Sequence, residues 1–127
     1  VKRILIIDDA ATVRLYHRAI LEAAGYAVDE AVNGLEALEK VYGAEYQLLL
    51  VDVNMPKLDG YRFLSELRAQ TGLHQPPAVM ISTEAELSDR TQAYQAGANF
   101  YLVKPTRPEA LLAHVRVLLG EPVVGAA

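Results

Sequence analysis

The chain has 127 residues, 52% of them hydrophobic, a size and composition that suit one domain with a core of its own. It contains no cysteine, which excludes disulfides, thiolate nucleophiles and cysteine-ligated zinc and fits a reducing compartment. The formal net charge is −4 with Lys and Arg scattered, and the longest apolar runs are strand-sized, so neither direct nucleic-acid binding nor a membrane span is expected; the reading is a cytoplasmic domain.

Short apolar runs alternate with helix-period stretches five times. The strands are expected at Arg3 to Asp8, Ala27 to Ala31, Leu48 to Asp52, Ala78 to Ser82 and Phe100 to Val103. Between them, apolar residues recur at three- and four-residue spacing. The stripes are Val13, Tyr16, Ile20 and Ala24; Leu35, Leu38 and Tyr42; Phe63, Leu64 and Leu67; Leu87, Thr91 and Tyr94; and Leu111, Leu112, Val115 and Leu118. A (βα)5 alternation of this kind calls for a doubly wound α/β fold, with a parallel five-stranded sheet and helices on both faces. Gly25, Asn33-Gly34, Gly72 and Gly97 mark helix ends or turns. Thr106 with Glu109 three residues on reads as a capping box for the last helix, with Pro108 in its first turn. The domain is expected over residues 1–120, and 121–127 is expected to be a flexible tail or the stub of a linker.

The first and third strands end in acid: Asp8 and Asp9 follow Ile4–Ile7, and Asp52 follows Leu48–Val51. Apolar runs that close in carboxylates fit the interior of a parallel sheet whose strand ends alone meet water. If these strands are neighbours, three carboxylates share one sheet edge. Their mutual repulsion then implies a hard divalent cation.

Taken in order, Asp8-Asp9, Asp52 with Asn54-Met55-Pro56 and Asp59-Gly60, Ser82 with Glu84-Ala85, and Tyr101 to Pro105 resemble the receiver domain of two-component response regulators, in its chemotaxis, CheY-like form. The likeness runs from Lys2 to about Leu119. It implies the flavodoxin-like strand order 2-1-3-4-5, with the site at the carboxyl ends of the strands. It implies that Asp52 accepts a phosphoryl group from a CheA-like sensor histidine kinase. Mg²⁺ would be held by Asp8, Asp9, Asp52 and the main-chain carbonyl of Asn54. Lys104 would place its ammonium against the phosphoryl oxygens and Ser82 would donate a hydrogen bond to one of them. A cis Lys104–Pro105 peptide is also implied.

Ser82 and Tyr101 would form the switch, reshaping a face made of the fourth helix, fifth strand and fifth helix for an output protein such as the flagellar motor switch. Asn54, Thr83 and Glu84 would modulate loss of the phosphoryl group, by water alone or with a phosphatase. Four positions depart from the chemotaxis pattern: Thr83 is bulkier than the usual small residue, Ala10 replaces an aromatic, and Glu86 and Leu87 stand where lysines are usual.

Other readings are a receiver cut from a longer transcriptional or enzymatic regulator, a phosphate sink, and an aspartyl-phosphate phosphatase. The phosphatase reading lacks the second Asp two residues beyond the nucleophile, because Asn54 stands there and cannot transfer a proton. External turnover is therefore not expected. Missing as well is the Ser/Thr/Gly-rich loop that a flavodoxin-like cofactor carrier needs after the first strand. His17, His74 and His114 read as surface or boundary residues, and Arg14 and Arg18 as a solvated face. Asp9 is the candidate cap of the first helix.

Overall fold

The computed structural model describes residues 1–122; the last five positions of the expected tail lie outside the described residues. Five strands, β1 (Arg3–Ile7), β2 (Ala27–Ala31), β3 (Leu48–Asp52), β4 (Ala78–Ser82) and β5 (Phe100–Val103), alternate with five helices. These are α1 (Ala11–Ala23), α2 (Gly34–Gly43), α3 (Gly60–Arg68), α4 (Leu87–Ala96) and α5 (Pro108–Leu118). All neighbouring strands pair in parallel, in the order β2-β1-β3-β4-β5. The doubly wound α/β fold expected from the alternation is therefore present, in the flavodoxin-like order that the resemblance implies. β1 ends one residue short of the expected Asp8, although Asp8 still donates its N–H to the Ala31 carbonyl at 3.1 Å.

Strand pleating divides the core in two. Leu5, Ile7, Leu49, Val51 and Met80 face a cluster completed by Phe63, Leu64 and Leu67 of α3 with Ala37, Leu38 and Ala93 of α2 and α4. The alternate residues Ile4, Ile6, Leu48, Leu50, Val79 and Ile81 face Leu21 of α1 and Leu111 and Val115 of α5. Each fully buried Leu or Ile contributes about 1.5–3 kcal/mol, which explains why apolar residues occupy both faces of the central strands.

In α2 and α4 the buried face differs from the expected stripe, and small residues do part of the packing. In α4, Leu87 is 78% exposed and Tyr94 48% exposed, while Ala93 and Ala96 turn inward. Leu35 and Tyr42 of α2 are also exposed, and Ala37, Leu38 and Val41 are buried. On α1 the buried pair is His17 and Leu21 rather than the Val13–Tyr16 side. Alanine lets a helix approach its neighbours closely, so a stripe chosen by side-chain size points the wrong way.

Asn33 lies in the expected break between β2 and α2 and caps α2, its side chain accepting from the Glu36 N–H at 2.9 Å, and Asp59 does the same for Arg62 at the start of α3. Caps correct two further expectations. Ala10, not Asp9, is the N-cap of α1. Arg107 occupies the N-cap of α5 without a side-chain bond, so the Thr106–Glu109 capping box does not form, although Pro108 does take the first helical position. Glu121 accepts from the Tyr26 hydroxyl at 2.6 Å and pairs with Lys2 at 2.8 Å, tying the end of α5 to the start of β1.

Candidate functional site

Because β1 and β3 are adjacent, their acidic ends meet: Asp8 and Asp52 are 3% and 5% exposed, and Asp9 lies beside them at the surface. Asp8, Asp9 and Asp52 each offer an oxygen within 4.8 Å of the others. Lys104, carried in from the end of β5, places Nζ 2.7 Å from Asp52 Oδ1 and 3.1 Å from Asp8 Oδ2. Three carboxylates against one ammonium leave the cleft negative. The donors are all hard oxygens, a set suited to Mg²⁺, so the residues present fit the ion that the sequence implies.

Burial pushes the Asp52 carboxyl up from 3.8 to about 6; the Lys104 hydrogen bond works against this shift, and the neighbouring Asp8 and Asp9 charges add to it. Lys104 is partly buried, which disfavours its charge, but its bonds to Asp52 and Asp8 outweigh that and hold its pKa above the ordinary value.

Ser82, 1% exposed at the end of β4, accepts the Glu84 N–H at 3.1 Å, and its carbonyl accepts the Lys104 N–H at 2.7 Å. Tyr101 is turned inward, 4% exposed, and its hydroxyl donates to the Glu84 carbonyl at 2.6 Å. The Arg90 guanidinium lies 5.2 Å from the centre of the Tyr101 ring and donates to the Tyr101 carbonyl at 3.3 Å. Asn54, Thr83 and Glu84 are exposed on the loops that rim the cleft. The Lys104–Pro105 peptide is cis, as the resemblance implies.

Several residues take part in ways their sequence context did not suggest. Arg14 donates to the Asp8 carbonyl at 2.8 Å and pairs with Glu30 at 2.7 Å, while Arg18 bonds Glu30 and the Val28 carbonyl, so this arginine pair is not a solvated face. A readable signal existed: in a βαβ unit the helix packs back over both strands, and Glu30 sits near the end of the second. His17 is buried at 2% exposure, with Nε2 2.9 Å from Thr106 Oγ1, and burial lowers its pKa to about 4 despite the nearby Asp8 charge. His74 is exposed, and His114 stacks edge-on against Phe100.

Comparisons with known proteins agree with this geometry. Residues 4–116 match the response regulator receiver domain family. Transcriptional regulatory protein ResD of Bacillus subtilis is 38% identical over 117 residues, 92% of this chain but 48% of ResD. Chemotaxis protein CheY1 of Helicobacter pylori is 36% identical over 120 residues, 93% of this chain and 97% of CheY1. The chain thus spans about half or less of several relatives it matches and nearly all of others. The structure of Vibrio cholerae chemotaxis protein CheY4 superposes with a TM-score of 0.86 at 34% identity, covering 93% of this chain and 98% of CheY4. With five parallel strands in this order and an acidic cleft at their carboxyl ends, the chain belongs to the response regulator receiver domain family.

Proposed function

We propose that this domain accepts a phosphoryl group on Asp52 from a sensor histidine kinase and switches a protein-binding face. The observation that carries the reading is the Lys104 ammonium shared between Asp52 and Asp8 in a cleft of three carboxylates. An Asp52 carboxylate oxygen bonds to phosphorus as the P–N bond to the donor imidazole breaks; the imidazole keeps that electron pair, and an acyl phosphate forms. Bound Mg²⁺ supplies charge neutralisation for the carboxylates and the incoming phosphoryl oxygens. Lys104 orients one of those oxygens and Ser82 donates its hydroxyl to another once released from the Glu84 N–H. Asn54, two residues beyond the nucleophile, offers its main-chain carbonyl to the metal and has no acid to drive turnover on external substrates. Thr83 shields the phosphoryl group from water, and Glu84 and Asn54 set how fast water or a phosphatase removes it.

Output follows through Tyr101. Its hydroxyl already holds the Glu84 carbonyl of the β4–α4 loop, so a move of Ser82 toward the phosphoryl group repacks that loop and the α4–β5–α5 face. Leu87 and Tyr94 stand exposed on α4, giving this face apolar contacts where a chemotaxis regulator usually carries lysine at the Leu87 position. The near-complete overlap with CheY1 and the half-length overlap with ResD fit a single-domain chemotaxis protein and the receiver part of a longer transcription regulator alike.

Intact mass after incubation with Mg²⁺ and acetyl phosphate tests the acceptor. One phosphoryl adduct is expected on the wild type and none on Asp52→Asn; no adduct on the wild type overturns the reading. Decay of the adduct within seconds to a minute favours a chemotaxis messenger or phosphate sink, and decay over hours a transcription regulator. Tyr101→Ala is expected to label normally yet to bind a flagellar motor switch peptide about tenfold more weakly in the phosphorylated state by fluorescence anisotropy. Equal binding by the two proteins would exclude the switch role of Tyr101.

A further inference from the structure

We propose that Thr106, gripped by Tyr16 and His17 of α1, is a positioning residue that aims Lys104 at Asp52; the inference rests on the acceptor reading above. The β5–α5 connection must hold a long, flexible lysine between two carboxylates. It is anchored before the turn by the Lys104 N–H on the Ser82 carbonyl, 2.7 Å. Pro105, next in the chain, has no N–H and is exposed. A cavity of about 460 Å³ opens between Thr12, Val13 and Tyr16 of α1 and Thr83, Lys104 and Pro105 of the loops, so packing does not support the connection on that side. Two hydrogen bonds cross the gap. The Tyr16 hydroxyl donates to the Thr106 carbonyl at 2.6 Å, and His17 Nε2 lies 2.9 Å from Thr106 Oγ1.

The arrangement forgoes a local alternative. Thr106 lies one residue before the uncapped start of α5, and its hydroxyl serves α1 instead of that helix. The same α1 holds the other wall of the cleft through Arg14, which donates to the Asp8 carbonyl at 2.8 Å. One rigid helix therefore fixes both the Asp8 backbone and the Lys104 loop, and with them the spacing across which the ammonium bridges. His17 and Thr106 are buried, 2% and 5% exposed, and both line that cavity, so removing the Thr106 hydroxyl takes away the protein partner of His17 Nε2.

Thr106→Val keeps shape and removes the hydroxyl, Thr106→Ser restores it, and Tyr16→Phe removes the second tie. Initial rates of adduct formation with acetyl phosphate and Mg²⁺ are expected to fall about tenfold in Thr106→Val and Tyr16→Phe and to stay within about twofold of wild type in Thr106→Ser, because misplacement of a positioned group by a fraction of an ångström is costly. In a Lys104→Met background, Thr106→Val should add less than about twofold, since the group it positions is gone. Losses that multiply, or a Thr106→Val that labels at the wild-type rate, overturn the inference while leaving the acceptor reading intact. A second readout needs no phosphorylation: in metal-free protein the Lys104 ammonium ¹H–¹⁵N signal, protected by its two carboxylates, should be retained in Thr106→Ser and lost to exchange in Thr106→Val. Its retention in Thr106→Val would overturn the clamp even if no variant, nor the wild type, labels.

Discussion

In metal-free protein at pH 7, Asp52→Asn is expected to raise stability by on the order of 2 kcal/mol, although it removes the proposed acceptor. The reason lies in the cleft: burial, with Asp8 and Asp9 adding to it, pushes the Asp52 carboxyl to about 6, against 3.8 for an ordinary aspartate, so ionised Asp52 is held at a cost that its bond to Lys104 only partly offsets. The sign follows from proton binding. Between about pH 4 and 6 the folded protein keeps a proton on Asp52 that the unfolded chain has lost. Stability therefore falls as pH rises through that window, and the full penalty is present above it. The neutral amide introduced by Asp52→Asn carries no such penalty, so denaturant midpoints in chelator should separate the two proteins at pH 7 and converge near pH 4. Added Mg²⁺ should stabilise the wild type far more than the variant, because it binds the folded carboxylate cluster by mass action. A variant less stable than wild type at pH 7 in chelator would show that Lys104 more than compensates the buried charge.

The site is what repetition in the sequence reveals best. Asp8, Asp52, Ser82 and Lys104 each close or follow a strand, and parallel pairing carries those ends to one edge; that they are neighbours there depends on the order β2-β1-β3-β4-β5, which the family resemblance implied and the alternation alone did not. Strand bounds followed for the same reason: a run such as Leu48–Val51 with no polar interruption has few other homes. Helix faces were less legible. Leu87 and Tyr94 outweigh Ala93 and Ala96 in any count of apolar bulk, yet the alanines pack inward and the larger side chains face solvent.

The polar ties between elements were the least legible. Thr106 with Glu109 satisfies the pattern of a helix cap, and only the position of α1 across the cleft decides that its hydroxyl turns to His17, 89 residues away along the chain. The same holds for Arg14, whose bonds to Asp8 and Glu30 need the β1–α1–β2 unit to be folded before they exist. Residues that build the floor of the cleft thus announce themselves through strand pattern. Those that hold its walls are polar, lie on helices and loops, and depend on contacts between segments distant in the sequence.

Gly60→Ala is expected to cost more than about 3 kcal/mol and to abolish labelling of Asp52, a larger loss than most single substitutions cause. Gly60 opens α3, and its N–H donates to the Val53 carbonyl at 2.8 Å, folding the β3–α3 connection tightly beneath the cleft. A Cβ built there meets the Asp52 carbonyl at 2.3 Å and the Val53 Cα at 3.0 Å, both backbone atoms that no rotamer can move aside. Relief requires displacing either the start of α3 or the end of β3. The first breaks the helix start that Asp59 caps, and the second moves the Asp52 carboxylate away from Lys104. Function and fold therefore fail together at this residue, which separates it from Asp52→Asn, where labelling is lost and stability rises. Thermal denaturation and intact-mass labelling of the two variants side by side distinguish these outcomes. A Gly60→Ala protein that melts and labels like wild type would show that the β3–α3 connection has room to shift, and that Asp52 is placed by its strand alone.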